Sequence, residues 1–303
     1  MKRARSCSIL LAAMLLAALA APRGVHAVPF EDALIYFPSR YPDGMWDLAG
    51  RRFPAGPWAT SASDQWITTA DGVKIHAWYA RPESRQTGGA TPAPDNPLTI
   101  LYFHGNAGSI ADRHGIMLSF VELGAAVLAV DYRGYGRSEG KPGEKGLYLD
   151  AEAAWNHLTG PLGVPAERII LFGKSLGGGP AVELATRVRP AGLFLQSTFT
   201  SIPDMARELL PFVPRFLIRT KMDSLAKIRN VRCPVLIIHG RRDEIVPFRM
   251  GQKLYESAPE PKRFVEIAHA RHNDTVFSGP HYIRAVREFL GQVDSSQAPV
   301  AVD

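Results

Sequence analysis

Short apolar runs alternate along this chain with longer amphipathic stretches, and this alternation constrains the fold more than any other feature. The runs predict strands at 75–80, 98–103, 126–130, 169–172, 193–195, 235–238 and, most weakly, 264–267. The central runs lack polar alternation, as expected where helices cover both faces of a parallel sheet. Helices are predicted between them, at about 111–123, 146–159, 176–188, 248–258 and 280–291. Strand followed by helix, repeated, predicts an α/β fold with a mostly parallel central sheet.

The first residues are typical of an export signal. Basic residues at positions 2, 3 and 5 precede an uncharged run over 9–21, which is shorter than the ~20 residues of a membrane span. Small residues at Val25 and Ala27 predict cleavage after Ala27, which would leave a periplasmic or secreted protein. The alternative is an uncleaved anchor that holds the protein at a membrane.

Charge and cysteine content narrow the function classes. Residues 1–27 contain four basic and no acidic residues, so their removal lowers the formal net charge from +6 to +2. No basic stripe remains that would favour nucleic-acid binding. Cys233 would be the lone cysteine of the mature chain, which excludes an internal disulfide. Nothing in the sequence indicates a partner protein, and we expect membrane contact only through an uncleaved N-terminus or a lipid substrate.

Three segments depart from the strand–helix alternation. Residues 82–97 are rich in proline, glycine and threonine and predict a surface loop, and residues 294–303 predict a loose tail. Residues 202–230 are apolar and interrupted by proline, and they lie at the carboxyl end of the predicted sheet. This segment is a candidate helical lid over a pocket, and an enlarged crossover helix packed on the sheet fits it equally well.

The sequence Gly173-Lys174-Ser175-Leu176-Gly177 lies between a predicted strand and a predicted helix. In this context a G-x-S-x-G motif forms a sharp turn that exposes the serine hydroxyl above the sheet edge. Two nucleotide-binding motifs fail here. A phosphate-binding P-loop would need glycine at Arg168, and a dinucleotide fingerprint would need glycine at Glu139. Ser175 is therefore a candidate nucleophile.

A serine hydroxyl needs a base and an acid that orients the base. Asp243 stands just beyond the strand at 235–238, where such an acid is expected, and Glu244 is the rival carboxylate. His272 is the preferred base and His269 the alternative, since both follow the strand at 264–267. A metal site formed by His269, His272 and Asp274 is an alternative but lacks a further ligand cluster, so no metal is expected. Nothing in the sequence implies a cofactor.

Catalysis of this type also needs donors for a developing oxyanion. A loop of small residues follows the strand at 98–103. Backbone N–H groups of such a loop and of the residue after the nucleophile supply these donors. The candidates are the N–H groups of Asn106 and Leu176.

These motifs together resemble the α/β-hydrolase superfamily, in its serine aminopeptidase-like or lysophospholipase-like branch, which includes protein depalmitoylases. The matching blocks are 103–108, 131–138, 173–179, 239–247 and 272–274, spread over about 65–290. The resemblance implies a hydrolase domain over 28–293, with Ser175, Asp243 and His272 as its triad. It favours His272 over His269 because the family's base stands before Asn-Asp. It gives the 131–138 block no catalytic role.

The function expected from these residues is hydrolysis of a carboxylic ester or thioester through an acyl-enzyme, with a small-molecule ester or acyl compound as substrate. Esters and thioesters release their leaving groups more easily than amides do. Amide or peptide cleavage by the same residues is the alternative within enzymes. A non-catalytic binding protein on a hydrolase scaffold is the alternative from another class.

Overall fold

The computed structural model describes residues 31–47, 52–84, 92–275 and 278–295. The predicted signal segment 1–27 and positions 296–303 of the predicted tail lie outside these residues. In the described part of the chain, no helix is long and apolar enough to cross a membrane.

The described residues form eleven strands. They are β1 Phe37–Pro38, β2 Arg52–Ala55, β3 Trp58–Thr68, β4 Lys74–Ala80, β5 Thr99–Phe103, β6 Ala107–Gly108, β7 Ala126–Asp131, β8 Ile169–Lys174, β9 Gly192–Gln196, β10 Val235–Gly240 and β11 Lys262–Ile267. All the strands predicted from apolar runs are present; β5 begins one residue later than predicted, and each of the others is one or two residues longer.

Helices connect most of these strands. They are α1 Asp32–Ile35, α2 His114–Glu122, α3 Glu144–Thr159, α4 Gly178–Ala185, α5 Ile202–Leu209, α6 Ser224–Ile228, α7 Phe248–Ser257 and α8 Pro280–Ser295. Short 3₁₀ turns occur at Ile110–Asp112, Ala166–Arg168, Ser175–Gly177 and Arg215–Leu217. Helix α8 runs through Ser295, so the first two residues of the predicted tail are helical, and Asp294 forms an ion pair with Arg168.

In the described chain, nine strands form one sheet in the order β11-β10-β9-β8-β5-β7-β4-β3-β2. The strands from β11 to β7 are parallel, and β4, β3 and β2 continue the sheet in antiparallel fashion. β8, which ends beside Ser175, is near the centre of the parallel part. The expectation of a mostly parallel sheet between helices is confirmed. The sequence predicted strand β4 but did not predict β3 and β2 or the antiparallel pairing at this edge.

Successive side chains of a strand point to opposite faces of the sheet. Because successive residues of the central strands are buried, both faces of the sheet are covered there. On one face Leu101 and Leu171 join a large apolar cluster under α3 and α4. On the other face Tyr102, Phe172 and Phe194 are aligned across three strands, and the ring of Phe172 stacks at 4.9 Å on Tyr102 and at 4.4 Å on Phe194. This rigid two-sided core fixes the positions at which the strands end.

The candidate lid segment 202–230 divides into two parts. Its C-terminal helix α6 buries Ile228 against the core cluster and packs beside α4, as a crossover helix does. Its N-terminal part consists of α5, a turn and the 3₁₀ turn at Arg215–Leu217, and Phe212 and Phe216 there are exposed. One part therefore belongs to the helical layer, and the other leaves large apolar side chains exposed.

Candidate active site

Ser175 occupies a strained turn directly after β8. Its φ angle is +52°, in the left-handed region that L-residues with side chains rarely adopt. The turn needs glycine on both sides. A Cβ on Gly173 would lie 2.5 Å from the carbonyl oxygen of Gly177, and a Cβ on Gly177 would collide with the carbonyl of Phe103. The G-x-S-x-G spacing is thus a steric requirement of the turn.

Ser175, His272 and Asp243 form one continuous chain of hydrogen-bonding contacts. The Oγ of Ser175 lies 3.0 Å from Nε2 of His272. The Nδ1 of His272 lies 2.8 Å and 3.0 Å from the two carboxylate oxygens of Asp243. The carboxylate accepts, so Nδ1 carries a proton in this arrangement and Nε2 of the neutral ring is free to accept the serine proton. The structure brings together all three residues predicted for the triad.

The Asp243 side chain is fully buried and is held in its ionised form. Burial opposes ionisation, but hydrogen bonds from His239, His272 and the backbone of Val246 outweigh it and hold the pKa of Asp243 well below its usual range. The N–H groups of Ile245 and Val246 donate to the same carboxylate oxygen at 2.9 Å and 2.8 Å. A fixed negative charge therefore faces the imidazole.

His239 is a part of this site that the sequence did not single out. Its Nε2 lies 3.2 Å from Asp243 Oδ2 and 3.0 Å from the carbonyl of Val246. Both neighbours are acceptors, so the proton of the neutral ring is on Nε2. A Cβ on Gly251 would clash with the other side of the ring, which explains glycine in the first turns of α7. The sequence feature that could have indicated this contact is the spacing of four residues between His239, at the end of β10, and Asp243.

The predicted oxyanion loop lies against the nucleophile. A Cβ on Gly105 would be 3.6 Å from the Cβ of Ser175, which is ordinary contact distance. The peptide after Asn106 is held by its carbonyl, which accepts from Phe37 N at 2.9 Å and from Tyr135 Oη at 2.8 Å. Leu176 is the second residue of the 3₁₀ turn that begins at Ser175. Both predicted donors thus belong to backbone segments next to Ser175.

The 131–138 block fastens that loop. Tyr132 donates its hydroxyl to the carbonyl of His104 at 2.8 Å, as Tyr135 does to Asn106. Asp131 accepts from the N–H of Ile110 at 2.9 Å, which holds the far end of the loop. The sequence reading gave this block no catalytic role, and the structure places it as the support of the loop. Nothing in residue spacing alone indicated these contacts between distant segments of the chain.

The rival residues lie outside the hydrogen-bonded chain. His269 is exposed on the loop before His272. Glu244 is exposed as well, and its carboxylate accepts from the backbone N–H of His272 at 3.3 Å, so it contacts the loop of the base without touching the imidazole. Within the described ranges, no group of three or more His, Cys, Asp and Glu residues is arranged to hold a metal ion.

Lys174 places a buried cation next to the nucleophile. The side chain is 8 % exposed, and its Nζ lies 3.5 Å from Oδ1 of Asn273 on the loop of the base. Burial, together with the positive charge of Arg113, lowers the pKa of Lys174 to about 8. The sequence marked this position only as the variable residue of the motif.

Comparison with known proteins agrees with this architecture. Residues 95–221 match the family model described as "Serine aminopeptidase, S33". The chain is 38 % identical over 259 residues to an uncharacterized protein of Mycobacterium tuberculosis, covering 85 % of this chain and 86 % of that protein. It is 34 % identical to the α/β-hydrolase domain-containing protein WAV2 of Arabidopsis thaliana, over 83 % of this chain and 84 % of that one.

A human relative and a solved structure extend the comparison. The chain is 36 % identical to α/β-hydrolase domain-containing protein 17B of Homo sapiens, over 66 % of this chain and 68 % of that protein. The esterase Pf2001 of Pyrococcus furiosus superposes with a TM-score of 0.65 at 22 % identity, over 85 % of this chain and 97 % of the esterase. At that identity the likeness concerns the fold. The chain therefore belongs to the α/β-hydrolase superfamily.

Proposed function

We propose that this protein is a serine hydrolase that cleaves a carboxylic ester or thioester through an acyl-enzyme, with Ser175 as nucleophile. The observation that carries the proposal is the unbroken chain from Ser175 Oγ through the His272 ring to the buried Asp243 carboxylate. A serine in a strained turn with a base at 3.0 Å is the arrangement that activates a hydroxyl for attack.

The proposed first step forms the acyl-enzyme. Ser175 Oγ attacks the acyl carbonyl carbon while its proton moves to Nε2 of His272, and Asp243 stabilises the imidazolium. The carbonyl oxygen becomes an oxyanion, and the N–H groups of Asn106 and Leu176 stabilise it. The bond to the leaving alcohol or thiol then breaks, and His272 returns the proton to that group.

The second step releases the acid. A water molecule gives a proton to His272 and attacks the acyl carbon, and the collapse of the tetrahedral intermediate restores the hydroxyl of Ser175. The step needs no group beyond those already placed at the site. Esters and thioesters are proposed as substrates because they release their leaving groups more easily than amides do. The family description, serine aminopeptidase, makes amides the competing substrate class.

Hydrolysis of p-nitrophenyl esters from acetyl to palmitoyl tests the reaction, with alanine p-nitroanilide as an amide substrate and a fluorophosphonate as an active-site label. Ser175→Ala should lower kcat by about 10⁶-fold and abolish labelling, because the nucleophile is lost. Ester turnover that disappears in Ser175→Ala supports the proposal. Turnover of the anilide alone would transfer the assignment to amides.

Ser197→Ala is the matched control. Ser197 also follows a central strand, is fully buried and has a positive φ of 49°, but its Oγ has no hydrogen-bond partner in the described part of the chain. This variant should label and turn over as the wild type does. A folded wild-type protein that neither labels nor hydrolyses any substrate would overturn the proposal in favour of a binding protein.

The same proposal includes export, with cleavage after Ala27. It is supported by the basic start, the uncharged run over 9–21 and the small residues at positions 25 and 27. Expression of the full chain followed by cell fractionation and N-terminal sequencing tests it. The expected product begins at Val28 in the periplasm or medium. An intact N-terminus recovered with the membranes would show an anchor instead.

A further inference from the structure

Four large apolar side chains of the segment that follows β9 are exposed. We call them the apolar patch: Leu209 is 64 % exposed, Phe212 61 %, Phe216 82 % and Leu217 42 %. They lie within nine residues of chain: Leu209 ends α5, Phe212 lies in the turn after it, and Phe216 and Leu217 lie on the 3₁₀ turn. Soluble proteins rarely leave clustered large apolar groups in water, and such surfaces mark sites of protein or membrane contact.

The charged residues within segment 209–221 are all basic, and the acidic residues just before it are paired, Asp204 with Arg215 and Glu208 with Arg249. Residues 209–221 contain Arg215, Arg219 and Lys221 and no acidic residue. All three cations are exposed. Arg215 makes an ion pair with Asp204 at 3.4 Å, but more than half of its side chain faces solvent, where such pairs are weak. Exposed aromatic groups flanked by cations complement the acyl and phosphate layers of an anionic bilayer.

The backbone that follows the patch is anchored to the rest of the fold. The backbone N–H groups of Arg219 and Thr220 donate to the Glu31 carboxylate at 3.0 Å and 2.7 Å. Those of Lys221 and Met222 donate to Glu144 at 2.6 Å and 2.7 Å. The chain is therefore tied down directly after the apolar side chains, while those side chains themselves remain exposed.

The position of Glu31 adds a second link to a membrane. Only nine residues, 22–30, separate it from the apolar run over 9–21. Nine residues of chain reach at most about 30 Å. If the run over 9–21 is retained and lies in a bilayer, Glu31 is held within about 30 Å of that bilayer. The patch, which lies next to Glu31, is then close to the same bilayer.

We propose that the apolar patch docks on an anionic phospholipid surface. Phe212 and Phe216 enter the boundary between headgroups and acyl chains, and Arg215 and Arg219 contact lipid phosphates. Docking needs no turnover and is thus separate from the proposed ester chemistry. It also holds for a protein that has lost residues 1–27, because the patch and its cations lie in the folded domain.

Vesicle flotation tests the proposal with protein expressed from the full chain. Vesicles of phosphatidylcholine alone are compared with vesicles that contain phosphatidylglycerol as well, at low and high NaCl. The wild type should prefer the anionic vesicles, and salt should weaken binding by screening. Phe212→Ser/Phe216→Ser should lower the partition coefficient about tenfold or more, since two aromatic rings stay in water. Arg215→Gln/Arg219→Gln should lower it by a similar factor on anionic vesicles only.

Met45→Ser is the matched control, because Met45 is 63 % exposed and lies outside the patch. It should bind as the wild type does. Circular dichroism of each variant verifies folding, and N-terminal sequencing verifies that all carry the same N-terminus. Equal binding of the wild type and both double variants would show that another part of the chain binds lipid, and absence of binding by the wild type would equally overturn the proposal.

Discussion

The Ser175 site and the apolar patch lie on the same chain but are built in opposite ways. At the site, the Asp243 side chain is fully buried, and every step from it to Ser175 is a contact of 2.8–3.0 Å. At the patch, Phe216 is 82 % exposed, and backbone N–H groups of the same segment donate to the Glu31 carboxylate. In the first region, contacts between side chains determine the local structure. In the second region, the large apolar side chains are exposed and contribute little to it.

The difference predicts how each region responds to substitution. Buried, mutually bonded groups cannot be replaced singly, because a removed partner leaves the others unsatisfied. Exposed groups make few contacts within the fold, so their loss changes what the protein binds more than how stably it folds. Four substitutions test this contrast, from the largest expected effect to the smallest.

Asp243→Asn should have the largest effect of the four. The amide cannot hold the imidazole in the tautomer with a proton on Nδ1, nor stabilise its cation, so kcat should fall about 10⁴-fold with the fold retained. Steady-state kinetics on a p-nitrophenyl ester measures the loss. Glu244→Gln, at the neighbouring exposed carboxylate, is the control and should keep most of the activity; comparable losses in both would contradict the assignment.

His239→Leu should have a smaller effect, because it removes one donor to Asp243 and leaves two backbone donors in place. Slight displacement of the carboxylate should lower kcat about 10- to 100-fold with little change in KM.

The companion variant for His239 is His239→Gln. Its amide nitrogen reaches the position of Nε2 and donates to the same oxygens, so activity should be largely restored. A purely structural role for the ring would give no rescue by glutamine.

Lys174→Met should act on stability and on its pH dependence. The pKa of Lys174 is lowered to about 8 in the fold, whereas an unfolded lysine titrates near 10.4. Between these values the unfolded chain binds a proton that the folded chain lacks, so this group makes stability rise with pH there. Below pH 8 the Lys174 amine is charged in both states, and its burial lowers the free energy of unfolding by the full amount. Lys174→Met should therefore be more stable than the wild type at pH 7, by about 1–3 kcal/mol.

Urea unfolding from pH 7 to 10.5 measures that effect. The advantage of Lys174→Met should shrink as the pH rises through the window, because the wild-type amine becomes neutral in the fold. An advantage that is constant across the range would mean that packing, not charge, separates the two proteins.

Phe216→Ser should have the smallest effect on stability. The ring is 82 % exposed, so the free energy of unfolding should change by less than about 0.5 kcal/mol. Phe172→Ser provides the contrast, since Phe172 stacks between two aromatic rings in the core and its loss should cost about 3–5 kcal/mol or prevent folding. Similar urea midpoints for the two variants would contradict the contrast between buried and presented side chains.

Much of the parallel core could be read from the sequence. Runs such as 169–172 and 235–238 are apolar on every residue, and only strands buried on both faces have that pattern. Strand β3 escaped detection because its sequence, Trp58–Thr68, is mostly small and polar and is only partly buried. Its pairing with β4 stabilises it, and pairing of that kind is not encoded in local apolar periodicity.

The sequence by itself determined the chemistry of the candidate site: a serine between glycines after a strand, an acid after a later strand and a histidine after the last one. Chain order and residue type suffice there, because the parallel strands of this sheet all end at one edge. Tertiary structure alone decided that His239 contacts Asp243, that Tyr132 and Tyr135 hold the loop after β5, and which apolar residues of 202–230 stay exposed. These outcomes depend on distances between segments far apart in the chain, and such distances are fixed only when the core packs.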